Sequence, residues 1–475
     1  MPSTFVVVLS RSPSRLSLAE IPRTRRRRGR PSPTTGALAT LAFLLATASN
    51  LSAYSVLSHE AVIDALWHDS IQKVLLQRFP ASTPEQLREA QAYAYGGSII
   101  QDMGYYPFGN VFFSDAAHYV RSGDFVESLL RQSKDLNEYA FALGALAHYS
   151  ADNVGHPGAV NLSVPILYPK LGRKYGRVVT YADDPKKHLM VEFGFDVVQV
   201  AAGVYAPADY HDFIGFKVSK PLLERAFKET YGLELGDVLL LEDLAVGTYR
   251  YFAGRMIPHF TAAAWQLKRD QIEKLIPGIT RRRFVYRFRR QEYEKEYGKQ
   301  YRGRRVKGEL ESYEHRVFEA AHTPGFGAKV LAVVFTVIPR IGPLRALDFK
   351  PATPQTERLF LASLRATRAN YQQLLAQVST GRLTLPNQDC DTGQPTRAGE
   401  YRLADRTYAN LLARLRKERY KNVTPELRSN ILAFYEHFDT THPQKHCRVC
   451  RGIPRELEEV KAVPGAAVSV AVAGR

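Results

Sequence analysis

The sequence predicts an all-α protein. Apolar residues recur at helical spacing through Ala-, Leu- and Tyr-rich segments, and few alternating runs joined by Asn-Gly or Asp-Gly turns interrupt them. At 475 residues and 45% hydrophobic content the chain has ample material for a core.

Taken in chain order, residues 1–53 read as a leader. Eight arginines and one acid, Glu20, lie in residues 1–35, and the apolar run "GALATLAFLLATASNLSA" follows them. A basic region, a short apolar stretch and a small-residue end make a secretory signal, with cleavage expected after Ala53 and export as the expected fate. The run is too short to span a bilayer comfortably.

Residues 54–275 are expected to form one domain, a series of helices. They include "SHEAVIDALWHDSIQKVLLQRF" from Ser58, "TPEQLREAQAYAYGGSIIQDMG" with its Thr-Pro start at Thr83, "LNEYAFALGALAHYSADNVGH" from Leu136, and "DDPKKHLMVEFGFDVVQVAAGVY" from Asp183. Residues 276–455 read as a basic, helical C-terminal region. Within it "VLAVVFTVI" at 330–338 is a core segment in length, and helices are expected from Thr353 and Leu403. Residues 456–475 lack patterning and are expected to be disordered.

The net charge of +18 is concentrated in two places, the leader and residues 281–307. The second block interleaves Arg and Lys with Phe284, Tyr286, Phe288, Tyr293, Tyr297 and Tyr301. That composition suits an anionic membrane surface or single-stranded nucleic acid, and equally a solvated basic helix with its tyrosines packed inward. No obligate protein partner is implied. The three cysteines, Cys390, Cys447 and Cys450, suggest a disulfide from Cys390 to one of the other two, with a zinc clip formed with His442 and His446 as the alternative.

The chemistry concentrates in "GALAHYSADNVGHPGA", where His148, Asp152 and His156 follow at steps of four in an apolar run. On a straight helix the outer histidines stand about 12 Å apart, too far to share one ion whose bonds are about 2 Å long, so the spacing asks for at least two metals with Asp152 between them. Gly155 and Pro157 flank His156 and can bend the helix there. The "HLMVE" segment adds His188 and Glu192 at another step of four, and His59, Asp102 and His118 lie upstream. A buried unpaired carboxylate costs several kcal/mol, and coordination is one of few ways to offset that.

In order and spacing these eight residues resemble the zinc-dependent phospholipase C family, related to the fungal single-strand-specific zinc nucleases and to the N-terminal domain of glycosylphosphatidylinositol-specific phospholipase D. The resemblance spans about residues 54–215. It implies an all-α bundle with three zinc ions in a cleft. The first ion would fall to Asp102, His118, His148 and Asp152, and the second to His156, His188 and Glu192. The third would fall to His59, Asp152 and the backbone amino and carbonyl groups of the mature N-terminal residue, which is Tyr54 if the leader is cut after Ala53. The family usually has Trp at that terminus. The three-residue gap between Asp152 and His156 resembles the phospholipase D branch.

Clustered zinc ions lower the pKa of bound water and neutralise phosphoryl charge, so hydrolysis of phosphate esters is the expected reaction, with Asp102 as ligand, general base or both. Phospholipid head groups are the first expected substrate and single-stranded nucleic acid the alternative. A non-catalytic helical binding protein stabilised by zinc is a third reading, disfavoured because structural zinc sites are closed and usually rich in Cys.

Overall fold

The computed structural model describes residues 56–106, 108–196, 216–251, 349–438, 447 and 449–463, with short pieces at 269–270 and 273–274. Tyr54, residues 281–307, the segment 330–338, His442 and His446 lie outside the described residues. The described chain is helical except for one two-stranded hairpin, and no described helix is long and apolar enough to cross a membrane.

Several helices begin where the sequence places a capping residue before proline. Thr83 precedes α3 (Pro84–Gly97), Asp184 precedes α9 (Pro185–Phe195), Thr353 precedes α13 (Pro354–Ser379) and Thr424 precedes α15 (Pro425–Tyr435). In each, the side chain accepts a backbone N–H of the first turn, and proline occupies a position whose own N–H would have had no helical partner. Further helices are α1 (Val56–Leu66), α2 (Gln72–Arg78), α4 (Val111–Tyr119), α5 (Ser122–Gln132), α6 (Leu136–Gly155), α7 (Asn161–Leu167) and α8 (Pro169–Tyr175). After these come α10 (Lys220–Tyr231), α11 (Leu235–Val238), α12 (Glu242–Tyr251), α14 (Arg402–Lys417) and α16 (Ile453–Ala462).

The expected helix from Ser58 is α1 and α2 joined by a π-turn at Trp67–Ile71. The one from Thr83 ends at Gly97, and a 3₁₀ turn, Ile100–Tyr105, carries the chain onward.

The central element is α6, buried along almost all of its length because Ala, Leu, Phe and Gly occupy every side of it. Its closest partner is α3. A Cβ on Gly97 would fall 1.9 Å from the Phe141 carbonyl oxygen, and one on Gly144 would fall 2.1 Å from that of Ala94. Only glycine permits this approach, which sets His148, one turn after Gly144, against the end of α3. Gly144→Ala should force the helices apart and cost about 1–3 kcal/mol, with loss of bound zinc. A thermal unfolding midpoint equal to that of the parent chain would contradict this.

The C-terminal region is part of the same core, a correction to the expected division at residue 275. Helix α13 runs along α6, where Tyr371 donates to the Leu143 carbonyl at 2.8 Å and Ser150 donates to Asn370 at 2.8 Å. Phe360 stacks on Phe195 with centroids 4.7 Å apart. Helix α14 packs on α4, with the Arg414 guanidinium 4.3 Å over the Phe112 ring. A second correction concerns the expected disordered tail from 456: α16 reaches Ala462 and buries Leu457 and Val460, because apolar residues at 453, 457 and 460 share one helix face. A third concerns the cysteines. Cys447 pairs with Cys450, while Cys390 is a buried free thiol held in the hairpin of β1 (Gln388–Asp389) and β2 (Gln394–Pro395).

Candidate metal centre

Six elements bring the eight described candidate residues together. His59 comes from α1, Asp102 from the 3₁₀ turn, His118 from α4, His148 and Asp152 from α6, His156 from the turn that follows, and His188 and Glu192 from α9. All eight are buried.

Asp152 sits at the middle. Its Oδ2 lies 3.2 Å from His118 Nε2 and 3.1 Å from His148 Nε2, while Oδ1 lies 3.5 Å from His59 Nε2 and 3.6 Å from His156 Nε2. The two oxygens thus serve two separate sets of imidazoles. Asp102 Oδ1 closes the first set, 3.4 Å from His118 Nε2. On the far side His188 Nε2 is 2.8 Å from Glu192 Oε1 and 3.0 Å from His156 Nδ1.

The ring of His156 reaches both sets because α6 does not continue straight. Pro157 has no N–H to offer, and residues 156–160 form a π-turn in which Asn161 N–H donates to the His156 carbonyl. The bend expected at Gly155 and Pro157 is therefore one added residue per turn.

Backbone carbonyls fix the orientation of two rings. His118 Nδ1 donates to the Ser114 carbonyl at 2.7 Å, and His148 Nδ1 donates to that of Ser98 at 2.9 Å. A carbonyl can only accept, so each Nδ1 carries a proton and Nε2 is the ring atom turned inward, free to ligate when it carries no proton. Those two Nε2 atoms are 3.2 Å apart, and both face Asp152 Oδ2. A cation placed between these atoms would satisfy all three. Asp102 Oδ1, both oxygens of Asp152 and both of Glu192 make no well-directed hydrogen bond among the described residues, although they are buried. Nitrogen and oxygen donors in this arrangement fit zinc.

Three groups of donor atoms, each within 4.8 Å of one another, result: His59, His148 and Asp152; Asp102, His118 and His148; and His156, His188 and Glu192.

The electrostatics divide along the same line. Burial lowers His118 and His148, yet the Asp102 and Asp152 carboxylates outweigh it and raise both; Asp152 itself is held well below the usual carboxylate range by His148, His118 and His156 despite burial. In the third group burial dominates. It lowers His156 to about 4 and His188 to about 3 and raises Glu192 to about 8. Near neutral pH, then, the imidazoles of that group are ready to ligate while the carboxyl must first lose a proton.

Zinc uptake there should strengthen as pH rises and gain nothing further from Glu192 above about pH 8. Zinc titrations from about pH 6 to 9 on the parent chain and on Glu192→Gln check this: the parent should show one more proton of pH dependence below pH 8, and equal slopes would contradict it.

Some positioning residues gave no motif in the sequence. Asp196 lies four residues after Glu192 and continues the step of four from His188. Its Oδ2 accepts Leu57 N–H at 2.9 Å, and its Oδ1 accepts Ser58 N–H at 3.1 Å and the Ser58 hydroxyl, so it caps the helix that carries His59. The hairpin from the C-terminal region is the other case. Asp391 Oδ2 accepts the hydroxyls of Tyr119, at 3.0 Å, and of Tyr401; its carbonyl accepts Asn161 Nδ2 at 2.7 Å; and Cys390 N–H donates to the His118 carbonyl at 3.2 Å. Tyr149, next to His148, donates to the Pro386 carbonyl at 2.7 Å. The hairpin therefore braces α4, α6 and the start of α7 around the ligands.

An all-α core whose buried carboxylates and imidazoles converge in three groups defines a candidate metal centre. Over residues 59–239 the chain is similar to the family whose model is described as zinc dependent phospholipase C. That similarity and the three donor groups support a zinc-dependent hydrolase of the phosphodiesterase type. The match ends before the described C-terminal helices begin. Comparisons with curated proteins and with solved structures give no match.

Proposed function

We propose that the chain is an exported, phospholipase C-like phosphodiesterase that holds three zinc ions and cleaves phospholipid head groups. The observation that carries this reading is Asp152, whose two oxygens face two imidazole sets in a site shielded from water. A carboxylate so placed would bridge two ions, with Asp102, His118 and His148 on one side and His59 on the other. His156, His188 and Glu192 would hold a further ion. Bound zinc supplies Lewis acidity toward a phosphoryl oxygen and acidifies water at neutral pH.

The chain's own residues supply the rest. The carbonyls of Ser98 and Ser114 lock the tautomers of His148 and His118. Burial lowers the local dielectric and strengthens each charge interaction at the reacting phosphoryl group. Asp102 and His118 are the ligands with the most side-chain exposure, 5% and 3%. Asp102 Oδ1 accepts the proton of the attacking water. Export by the leader and contact of residues 281–307 with an anionic membrane surface belong to the same proposal, which brings a secreted enzyme to its lipid.

The test sets the purified chain against phosphatidylcholine, phosphatidylinositol and single-stranded DNA, with and without chelator. Release of diacylglycerol, lost on chelation, is the expected result. Cleavage of the DNA with the lipids untouched would replace this reading with the nuclease, and no hydrolysis at all with zinc bound would leave a binding protein.

A further inference from the structure

Away from the metal centre, the Cys447–Cys450 disulfide closes a loop of only two intervening residues. Cross-links stabilise a fold by restricting the unfolded chain, and the effect is smallest for the shortest loops, so this bond has little value as a staple. Its surroundings are those of a reactive pair. Cys450 is 3% exposed and lies in the 3₁₀ turn Val449–Gly452, which runs directly into the ten-residue helix α16, whereas Cys447 is partly exposed. The positive end of α16 and the exposed Arg451 favour a thiolate at Cys450. Glu456, on the first turn of α16, folds back against Gly452 of the same turn; it is 5% exposed, and its Oε2 has no hydrogen-bond partner among the described residues. Burial raises the pKa of that carboxyl, which suits it to carrying a proton.

We propose that Cys447 and Cys450 form a redox-active pair that exchanges with dithiols, with Glu456 as the proton carrier for Cys450. A thiolate of the donor attacks Cys447 Sγ, the bond to Cys450 Sγ breaks, and Cys450 leaves as the thiolate that Glu456 protonates. The second donor thiol then attacks the mixed disulfide at its own sulfur and releases Cys447, which takes up a proton. The donor ends as a disulfide and the pair as two thiols, two electrons having moved. In reverse the pair oxidises a dithiol.

The zinc-loaded full-length chain, without denaturant, is incubated with dithiothreitol and with glutathione buffers, then alkylated and mapped by mass spectrometry. Cys447 and Cys450 should be reduced while buried Cys390 stays unlabelled. Cys450→Ser should trap a glutathione adduct at Cys447 at least tenfold faster than Cys447→Ser traps one at Cys450. Glu456→Gln should slow reduction and flatten its pH profile while leaving the helical circular dichroism unchanged. Resistance to dithiothreitol until the chain unfolds, equal reactivity of the two cysteines, or labelling that appears only after a chelator removes a metal from the thiols would each overturn the proposal.

Discussion

Asp152→Asn should lower phosphodiester hydrolysis by about a thousandfold or more and reduce the zinc bound per chain. The size follows from what the carboxylate does. Each oxygen faces imidazole nitrogens at 3.1–3.6 Å, so the amide would present a donor to one set where a cation belongs, and several kcal/mol of charge stabilisation would go with it. The change is nearly isosteric, and the apolar packing of α6 should survive it. Helical circular dichroism close to that of the parent, together with lost activity and lost zinc, separates this outcome from simple unfolding. Full activity in the variant would remove Asp152 from the centre.

A chain ending at residue 275 should fail to fold and should hold no zinc, even though it contains every described candidate ligand. Truncation exposes the faces of α6 and α9 that Tyr371, Leu375 and Phe360 cover, and the surface of α4 beneath Leu411 and Leu412. Large buried apolar side chains contribute about 1.5–3 kcal/mol each, so losing a handful matches the whole net stability of about 5–15 kcal/mol. The truncation also removes the hairpin that accepts Tyr119, Tyr149 and Asn161. Circular dichroism and zinc content of the truncated chain test this, and a folded, zinc-binding product would show that residues 276–455 are dispensable.

The contrast between those two predictions marks how much the sequence revealed. Helix starts were legible because Thr83, Asp184, Thr353 and Thr424 stand directly before prolines, a local signal that tertiary packing does not overrule. The candidate ligands were legible because imidazoles and carboxylates are rare in apolar helices and their steps of four survive folding. The 12 Å arithmetic asked for at least two metals with Asp152 between them, and its two oxygens face two imidazole sets. The hairpin at 388–395 was not legible, since its hydrogen bonds reach partners more than 200 residues away and nothing in "NQDCDTGQP" names them. The cysteine pairing was misread for a related reason. Cys390 is enclosed between α4 and α6, where Cys447 and Cys450 do not reach, and those two close on each other locally. Asp196 was within reach, one further step of four beyond Glu192, but its partners Leu57 and Ser58 become apparent only in the fold.

The central claim is a multi-zinc centre that cleaves phosphodiesters, and elemental analysis of the purified, active chain tests it most directly. Three zinc ions per chain, with hydrolysis falling as they are stripped and returning as they are restored, is the predicted result. Undiminished hydrolysis by a chain that carries no zinc would contradict it.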